Sequence, residues 1–311
     1  GKVHHYGYSE DFSEPHYNAK KGKYVNLEYN QLKGKERPPF EMGHVDDTAY
    51  RDGANTMEAI HTLRRMSQQD KPFFLAMGYY KPHLPWCAPE NYFDLYETGD
   101  IPLAKNKKLP ENAPEYATGF GNLFKYETPE GGMYTDERAR ELKRAYAATV
   151  SYMDAQVGKL ISELEALGLR ENTVVVFMSD HGWHLGEQGK WGKSTNFENA
   201  TRAPFIISSP DYQQNQTTDA LVEYVDIFPS LCDLAGVDKP SYLEGTSVVP
   251  LLNNPKRDWK KAAFSQYPRG YPKAKFEGYA IRTDRYRYVE WRELDGSFKS
   301  HELYDHQNDP L

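Results

Sequence analysis

A β-branched apolar run that directly follows a long amphipathic helix constrains this fold more than any other feature. Apolar side chains recur every three or four positions over residues 142–167, which predicts a helix that Thr135 caps and Gly168 ends. The next apolar segment, Thr173 to Met178 (TVVVFM), is typical of a strand that is buried on both faces. Helices that alternate with such strands predict an α/β fold with a mostly parallel sheet flanked by helices.

The same alternation is predicted on either side of this pair. Helical spacing of apolar residues predicts a helix over residues 47–66, and a buried strand follows at Pro72 to Gly78 (PFFLAMG). Pro204 to Ser208 (PFIIS) resembles the TVVVFM run and predicts another strand of the parallel sheet. Leu221 to Gly236 (LVEYVDIFPSLCDLAG) predicts a further helix that ends at its glycine.

Two stretches without periodicity and a change of pattern organise the rest of the chain. Residues 9–45 and 84–132 are rich in Gly, Pro and Asn and are predicted to be long loops, which usually serve a site. After residue 253, short alternating stretches predict a small antiparallel sheet over Ala262 to Tyr267, Gly278 to Arg282 and Arg287 to Trp291. We therefore predict a core domain over residues 1–253 and a subdomain with this sheet over residues 254–311.

Charge and composition exclude several classes of function. The 311 residues carry a formal net charge of −7, whereas a nucleic-acid-binding protein depends on Lys and Arg contacts to phosphate. An anionic substrate is therefore expected to meet a few local cations in a pocket. No apolar run is long enough to cross a bilayer, and we expect no membrane partner. Cys87 and Cys232 are too few for a disulfide framework and are wrongly spaced for zinc.

A carboxylate and an imidazole follow the TVVVFM strand directly, in Ser179-Asp180-His181-Gly182. Open α/β sheets place their ligands at the carboxyl ends of parallel strands, so this position favours a functional role. An aspartate beside a neutral histidine can bind a divalent cation, and oxygen-rich surroundings favour calcium or magnesium. The alternative is that Asp180 caps a turn and His181 packs against its neighbours, and the dipeptide by itself does not separate the two.

Chemistry-bearing residues are concentrated around this dipeptide and in a second cluster. The twelve residues after His181 include Trp183, His184, Gly186, Glu187, Gly189, Lys190, Trp191 and Lys193. A second cluster, Tyr79 to Trp86 (YYKPHLPW), follows the PFFLAMG run at the corresponding end. Two parallel strands would deliver both clusters to one edge of the sheet. If this second cluster stood alone, His83 would be better explained as a half-buried loop histidine bonded to backbone.

Seven segments resemble, in the same order, the iduronate-2-sulfatase branch of the sulfatases, which belong to the alkaline-phosphatase-like superfamily. These segments are GKVHH, PFFLAMGYYKPHLPW, SYMDAQVGKLISEL, FMSDHGWHLGEQGKWGKSTNFENATRAPFI, YVDIFPSLCDLAG, SQYPR and GYAIRTDRYRYVEW. The most specific pieces are SDHGWHLGEQGKWGK and GYYKPHLPW, because many residues match together. The resemblance covers nearly the whole chain and implies an alkaline-phosphatase-like α/β core and the hydrolysis of sulfate esters.

The resemblance also implies a role for individual residues. It implies metal ligands at Asp180 and His181, a sulfate-binding lysine at Lys193, a histidine facing the leaving-group oxygen at His83, and a lysine and histidine flanking a formylglycine at Lys2 and His5. The metal would be one Ca²⁺ ion. These roles are chemically coherent, because cleavage of a sulfate ester needs cations around the oxygens, a Lewis acid and a proton source for the departing alkoxide.

The family's nucleophile has no counterpart in this sequence. It is a formylglycine made from Cys or Ser in a C/S-x-P-x-R motif, which the resemblance implies upstream of GKVHH together with two more metal-binding aspartates. Cys87-Ala88-Pro89-Glu90-Asn91 begins like that motif but has Asn91 in place of Arg, so a structural thiol is the better interpretation. We expect the complete enzyme to include residues before Gly1, in the same gene product or as a separate chain.

Substrate selection is predicted from cations and aromatic rings near the two clusters. Arg269 in SQYPR suits a uronate carboxylate, although a surface arginine near a subdomain hinge is an equal alternative. Lys81, Trp86 and His184 are predicted to line sugar subsites. The expected substrate is a 2-O-sulfated uronate of a glycosaminoglycan or an ulvan-type polysaccharide, processed in the periplasm or outside a bacterial cell, or in an animal lysosome. The alternatives are a phosphoester or phosphonate hydrolase of the same superfamily and an inactive saccharide-binding subunit.

Overall fold

The computed structural model describes residues 17–270 and 275–311. Its residues form two compact units, each made of two stretches of the chain. The first unit contains the described residues up to Ala104 together with Asn122–Glu171, and the second contains Lys105–Gly121 and Asn172–Leu311. The second unit includes residues on both sides of position 254, so the predicted subdomain boundary stays a prediction. None of the described helices is long and apolar enough to cross a membrane.

The first unit combines helices with one short parallel pair of strands. Its helices are α1 (Leu27–Gln31), α2 (Arg51–Met66), α3 (Glu90–Phe93) and α4 (Asp136–Ala166). Its strands are β1 (Phe40–Gly43) and β2 (Trp86–Pro89), which pair in parallel with Phe40 opposite Trp86. Single 3₁₀ turns at Asp47–Ala49 and elsewhere connect these elements.

Helix α4 forms for the reasons that the sequence indicates. The Thr135 side chain accepts a hydrogen bond from Arg138 N at 3.2 Å, and Gly168 adopts a left-handed φ of 68° just after the helix. One face of α4 is buried through Leu142 and Tyr152 and packs against α2 and β2. The Tyr152 hydroxyl donates to Asp47 O at 2.9 Å and accepts from Gly53 N at 2.6 Å, so it joins α4 to the start of α2. The predictions for α2 and α4 are confirmed.

Two predictions for the first unit are wrong. Pro72 to Gly78, predicted as a buried strand, pairs with no strand among the described residues, and its Phe74 side chain is 65% exposed. A strand forms only where a neighbour completes its ladder of hydrogen bonds, which an apolar run cannot reveal. The loops predicted over residues 9–45 and 84–132 contain the strands β1 and β2, which are too short to show periodicity.

The second unit holds two small antiparallel pairs beside its main sheet. Strand β3 (Val175–Met178) pairs with β6 (Phe205–Ser208), and β4 (His184–Leu185) pairs with β5 (Trp191–Gly192). The β3 and β6 strands were expected to be parallel and buried on both faces. They run antiparallel, with Met178 and Ile206 exposed, because a run of apolar residues fixes neither strand direction nor the layers that cover it.

Helices and a meander complete the second unit. The helices are α5 (Glu198–Thr201), α6 (Ile227–Ala235) and α7 (Val249–Asn253). Gly236 caps α6 in the left-handed conformation, as predicted, although the helix begins at Ile227 and not at Leu221. Cys232 is buried in this helix. The sheet contains β7 (Ala263–Arg269), β8 (Phe276–Arg282), β9 (Tyr286–Glu293) and β10 (Phe298–Asp305), in the order β10-β9-β8-β7. Its three predicted strands are confirmed, and β10, rich in charged residues, was not predicted.

Trp291 is the centre of the hydrophobic core on this sheet. The side chain is 1% exposed, and its ring meets those of Tyr116 and Phe276 edge-on at centroid distances of 5.3 and 5.9 Å. The backbone of β8 comes so close that a Cβ at Gly278 would lie 2.5 Å from the Trp291 ring. A smaller side chain at position 291 would therefore leave a cavity that the rigid sheet cannot close.

We predict that Trp291→Ala lowers the free energy of unfolding by about 3–5 kcal/mol, the usual cost of truncating a buried aromatic side chain. Urea denaturation measures this change when it is followed by far-UV circular dichroism, a signal that does not rely on the fluorescence of the replaced tryptophan. Phe298→Ala is the matched control on β10, because Phe298 is 57% exposed and its loss should cost less than about 0.5 kcal/mol. Equal urea midpoints for the two variants would show that Trp291 does not hold the sheet together.

Candidate active site

The segment Tyr79–Trp86, here called the His83 loop, is anchored in the first unit by one buried carboxylate. Asp52, in the first turn of α2, accepts hydrogen bonds from Tyr80 N at 3.0 Å and Lys81 N at 2.8 Å. Within the loop, His83 N donates to Tyr80 O at 2.8 Å and closes a turn. The loop is therefore fixed by backbone hydrogen bonds, although it contains no helix or strand before Trp86.

His83 is exposed, and the local backbone determines which of its ring nitrogens carries a proton. Nδ1 lies 2.6 Å from Leu84 O. Because a carbonyl oxygen only accepts hydrogen bonds, Nδ1 is the donor, and Nε2 is the nitrogen that gains or loses a proton. A histidine in this tautomer can act as a proton donor or acceptor through Nε2. The geometry suits the role that the resemblance implies for His83.

Lys81 and Trp86, which were predicted to line sugar subsites, brace the His83 loop. Lys81 Nζ donates to Pro85 O at 2.5 Å, and Trp86 Nε1 donates to Pro82 O at 3.0 Å. The Trp86 ring is fully buried and meets Tyr146 of α4 edge-on at 5.8 Å. Both side chains thus contact the chain itself, and their predicted contact with a sugar stays a prediction.

The structure supports a structural role for Cys87, which stands where the sequence only partly resembles the nucleophile motif. Its side chain is fully buried in β2, and burial raises the pKa of the thiol to about 12. The thiolate is the reactive form of cysteine, so a thiol with this pKa is unreactive near neutral pH. Cys87 is accordingly a packing residue in the first unit.

In the second unit, Asp180 and His181 follow β3 at its carboxyl end, where they were predicted. Three contacts fix the backbone there: Ser179 N donates to Pro204 O at 3.1 Å, the Tyr224 hydroxyl donates to Ser179 O, and Gly182 N donates to Ala200 O at 2.8 Å. Gly182 is required at its position, since a Cβ there would overlap Asn199 O of α5. These contacts hold the backbone of the dipeptide on both sides.

Asp180, His181 and Lys193 form a polar cluster. Lys193 Nζ lies 2.6 Å from His181 Nε2, and Asp180 Oδ1 lies 3.4 Å from the same nitrogen. His181 Nδ1 is 2.8 Å from Gly182 O and therefore donates its proton there, so Nε2 of the neutral ring presents a lone pair to this cluster. The cluster thus joins a cation, a carboxylate and an imidazole acceptor, the residue types that a metal-assisted hydrolase of an anion requires.

Asp180 and His181 fit one part of a divalent metal site. Asp180 Oδ1 and His181 Nε2 lie 3.4 Å apart, close enough that both atoms could bind one divalent cation. The bond from His181 Nδ1 to a carbonyl is the support that metal-bound histidines usually have. Among residues 17–270 and 275–311, no group of three or more His, Cys, Asp and Glu side chains is placed to hold a metal. The role of Asp180 and His181 as metal ligands stays a prediction.

His184, predicted as a sugar contact, is buried inside the β4–β5 hairpin. Its Nε2 lies 2.8 Å from Thr195 Oγ1, and its ring meets Phe197 edge-on. Burial, and secondarily the charge of Lys190, lowers the pKa of His184 to about 4. The side chain is consequently neutral near pH 7 and supports the hairpin that connects His181 to Lys193.

Arg269 and Lys190 hold the segment Lys105–Gly121 through its carbonyl groups. Arg269 is 7% exposed and donates to Tyr116 O at 2.5 Å and Ala117 O at 2.6 Å, while Lys190 Nζ donates to Thr118 O and to Phe120 O at 3.0 Å. Burial lowers the pKa of Arg269 and, with the charge of Arg269, lowers that of Lys190 to about 7. Arg269 is therefore not the surface arginine that was one alternative, and its contact with a uronate stays a prediction. Lys190 was missed as a structural cation.

The predicted site residues thus fall into four groups, of which the buried pair His184 and Arg269 has just been described. The cluster Asp180, His181 and Lys193 is assembled within the second unit, and the His83 loop belongs to the first unit. The common edge predicted for the two clusters stays a prediction. Lys2 and His5 lie outside the described residues.

Comparison with known proteins identifies the family. A family model described as Sulfatase matches residues 3–237, and a model described as N-sulphoglucosamine sulphohydrolase, C-terminal, matches residues 186–311. The chain belongs to the sulfatase family. This sulfatase is 31% identical over 402 aligned residues to iduronate 2-sulfatase of Mus musculus, with 100% of the chain and 72% of that relative covered. The resemblance to the iduronate-2-sulfatase branch is therefore confirmed, and its named relatives are sulfuric ester hydrolases.

Other relatives and solved structures extend this comparison. The sulfatase is 29% identical over 257 residues to the ulvan-active sulfatase of Formosa agariphila, where the alignment covers 80% of the chain and 44% of that relative. A structure described as a complex with its substrate D-glucosamine-2-N,6-O-disulfate matches with a TM-score of 0.70 and 25% identity, over 84% of this chain and 64% of that one. The phosphonate monoester hydrolase of Agrobacterium radiobacter matches with a TM-score of 0.72 at 23% identity, over 90% and 58%, which shows the shared fold alone. These matches confirm the α/β fold class.

Because His184 is neutral in the folded sulfatase near pH 7, the free energy of unfolding should decrease at acidic pH. Between pH 6.5 and about pH 4 the unfolded chain takes up a proton at His184 that the folded chain does not, so stability falls as the pH falls through this window. We predict that His184→Asn loses less unfolding free energy between pH 7 and pH 4.5 than the wild type, by on the order of 2 kcal/mol.

Urea denaturation at the two pH values measures this difference. His61→Asn is the control, since the His61 side chain is 57% exposed. If His184→Asn and His61→Asn have the same pH dependence, His184 already carries a proton in the folded state at pH 4.5.

Proposed function

We propose that this sulfatase hydrolyses a sulfate ester on a 2-O-sulfated uronate, iduronate or glucuronate, of a glycosaminoglycan or an ulvan-type polysaccharide. The observation that carries the proposal is the cluster in which Lys193 Nζ and Asp180 Oδ1 lie 2.6 and 3.4 Å from His181 Nε2. A sulfate group has several oxygens that gain negative charge in the transition state, and a lysine next to a metal-binding pair suits them. The family and its named relatives support the reaction class.

Each residue of the cluster has a distinct part in this proposal. The Lys193 ammonium donates hydrogen bonds to the sulfate oxygens and to the bridging oxygen. Asp180 and His181 would hold a Ca²⁺ ion, which when bound supplies further positive charge beside the sulfate. His83 Nε2 gives a proton to the departing sugar alkoxide, which is a poor leaving group without it. Lys2 and His5 are proposed to flank the nucleophile, as the resemblance implies.

The nucleophile is proposed to be a formylglycine outside the sequence printed above. The 311 residues contain no C/S-x-P-x-R motif, and Cys87 is buried with a pKa raised to about 12. Tests of activity therefore use the full-length gene product that contains this chain, with formylglycine verified by mass spectrometry.

The proposed substrate and compartment rest on named relatives. An iduronate 2-sulfatase and an ulvan-active sulfatase favour a sulfated uronate-containing saccharide. Such polysaccharides are processed outside the cytoplasm, so we propose the periplasm or cell exterior for a bacterial protein and the lysosome for an animal one. A phosphonate or phosphate ester is the second candidate, because a phosphonate monoester hydrolase has the same fold.

We predict that Lys193→Ala and His83→Ala each lower sulfate release from a 2-O-sulfated uronate disaccharide by at least ~100-fold, since each removes a group that acts on the transition state. Ion chromatography of released sulfate, in buffer with calcium, measures the rates. Lys105→Ala and His61→Ala are the matched controls, because both residues are exposed and belong to neither cluster.

The outcomes separate the candidate functions. Sulfate release that both variants lose and both controls keep supports the proposal. Hydrolysis of phosphonate or phosphate esters without sulfate release replaces it with the second candidate. Binding of the disaccharide without any hydrolysis, with formylglycine present, indicates an inactive saccharide-binding subunit.

A second prediction concerns the metal. We expect chelation with EDTA to abolish sulfate release and Ca²⁺ to restore it, and we expect Asp180→Asn to weaken Ca²⁺ binding by ~10-fold or more because one carboxylate ligand is lost. Isothermal titration calorimetry measures Ca²⁺ binding independently of activity. Asp211→Asn, an exposed aspartate of the same unit, is the control. Equal calcium affinity in both variants would contradict the role of Asp180.

A further inference from the structure

We propose that Asp52 is a positioning residue for the reaction, because its buried carboxylate holds the backbone of the loop that presents His83. This inference rests on the proposed function, in which His83 gives a proton to the leaving group. Asp52 lies 31 positions before His83 in the sequence, within an amphipathic helix, and no feature of the sequence joins the two.

The carboxylate of Asp52 is directed at two consecutive amide groups. Tyr80 N lies 3.0 Å from Oδ1 and 3.0 Å from Oδ2, and Lys81 N lies 2.8 Å from Oδ2. Neither amide belongs to a helix or strand, so these bonds give both groups the partner that a buried backbone N–H needs. The two amides begin the turn that His83 N closes on Tyr80 O. Asp52 therefore fixes the start of the turn and His83 lies at its end.

The position of Asp52 is itself fixed. The side chain is 2% exposed, and the residue sits in the first turn of α2, where the helix dipole favours a negative charge. The next residue, Gly53, donates its N–H to the Tyr152 hydroxyl of α4 at 2.6 Å. The Arg51 guanidinium lies over the Tyr80 ring, 4.6 Å from its centroid. The anchor thus belongs to the packed helices, while His83 at the other end of the turn is exposed.

Burying the Asp52 carboxylate costs free energy of desolvation, and packing alone does not require a charged side chain there. Burial raises the pKa of Asp52, and the two amide donors oppose that shift because they stabilise the charged form. An uncharged side chain could fill the same volume at a lower desolvation cost. The carboxylate fixes the loop and thereby the position of His83. This position matters because a displacement of a catalytic group by about 1 Å can lower the rate by on the order of 100-fold.

The test compares Asp52→Asn with His83→Ala and with the double variant in the full-length enzyme. Asparagine keeps the shape but removes the negative charge and replaces one carboxylate oxygen by an NH₂ group, so the hydrogen bonds that hold Tyr80 N and Lys81 N weaken. We expect Asp52→Asn to lower kcat for the 2-O-sulfated disaccharide by ~10- to 100-fold. In the His83→Ala background the same change should cost less than ~3-fold, because the group that it positions is already gone.

A second readout is the comparison of two substrates whose leaving groups differ in their need for a proton. A purely structural role of Asp52 would slow both reactions equally. The phenolate of 4-nitrophenyl sulfate departs with little need for a proton, so we expect Asp52→Asn to change its hydrolysis by less than ~3-fold. Asp47→Asn is the matched control. Asp47 contacts Tyr92, Gln156 and Lys159 in the same unit, and these bonds do not involve the His83 loop. Asp47→Asn should lower rates with both substrates equally or not at all.

Hydrogen exchange distinguishes a failure of this inference from a failure of the proposed function. Tyr80 and Lys81 amides should lose protection in Asp52→Asn and keep it in Asp47→Asn. If the wild type hydrolyses the disaccharide but the effects of Asp52→Asn and His83→Ala multiply, or both substrates slow equally, Asp52 does not act through His83. If the wild type hydrolyses neither sulfate ester, the proposed function fails, and with it the catalytic part of this inference. If the Tyr80 and Lys81 amides also kept their protection in Asp52→Asn, Asp52 would not anchor the loop either.

Discussion

Three buried charged side chains bind the backbone polar groups of two irregular segments, the His83 loop and Lys105–Gly121. The candidate site depends on these hydrogen bonds, because the first of the two segments presents His83. Irregular backbone that leaves the solvent needs hydrogen-bond partners other than a ladder or a helix. Asp52 supplies acceptors for the two amides of the His83 loop. Arg269 and Lys190 supply donors for four carbonyls of Lys105–Gly121. A carboxylate serves amides and a cation serves carbonyls, so the charge of each side chain follows from the backbone groups that it meets.

Lys190 and Lys193 show how burial separates two lysines that are three residues apart. Lys190 is buried against carbonyl groups, and desolvation lowers its pKa to about 7, so its charge is poorly suited to bind a substrate anion. Lys193 lies only partly buried beside His181 and Asp180. Lys190 lies at the end of the turn between β4 and β5, and the two residues of β5 separate it from Lys193. Lys190 consequently serves the fold, whereas Lys193 is the cation proposed to bind the sulfate group in a chain whose net charge is −7.

The sequence predicts the elements that local chemistry determines and fails where long-range pairing decides. Helix α4 has its cap, its periodicity and its terminal glycine within the segment itself, so it was predicted with its ends. The direction of the β3–β6 pair and the absence of a strand at 72–78 depend on neighbours distant in sequence.

The same limit applies to individual side chains of the candidate site. Asp180, His181 and Lys193 were predicted as functional and do form a cluster, because the motif places them on one strand end and one hairpin. Trp86, His184 and Arg269 have equally suitable chemistry, but their side chains are buried. Residue type shows what a side chain can bind, whereas only packing shows which way it is directed. Asp52 was missed for the complementary reason, since its partners are backbone groups that no sequence pattern marks.

The two histidines proposed for the reaction are prepared by the same local arrangement. In each, Nδ1 meets the carbonyl oxygen of the following residue, Leu84 at 2.6 Å for His83 and Gly182 at 2.8 Å for His181. The backbone therefore fixes the tautomer before any ligand binds, and Nε2 is the atom that is proposed to react in both. Their surroundings then separate their roles. His181 Nε2 lies between the Asp180 carboxylate and the Lys193 ammonium, in the cluster that is proposed to bind the metal and the sulfate. His83 is exposed on a turn held by Asp52, which suits a group that must take up and release a proton in each catalytic cycle.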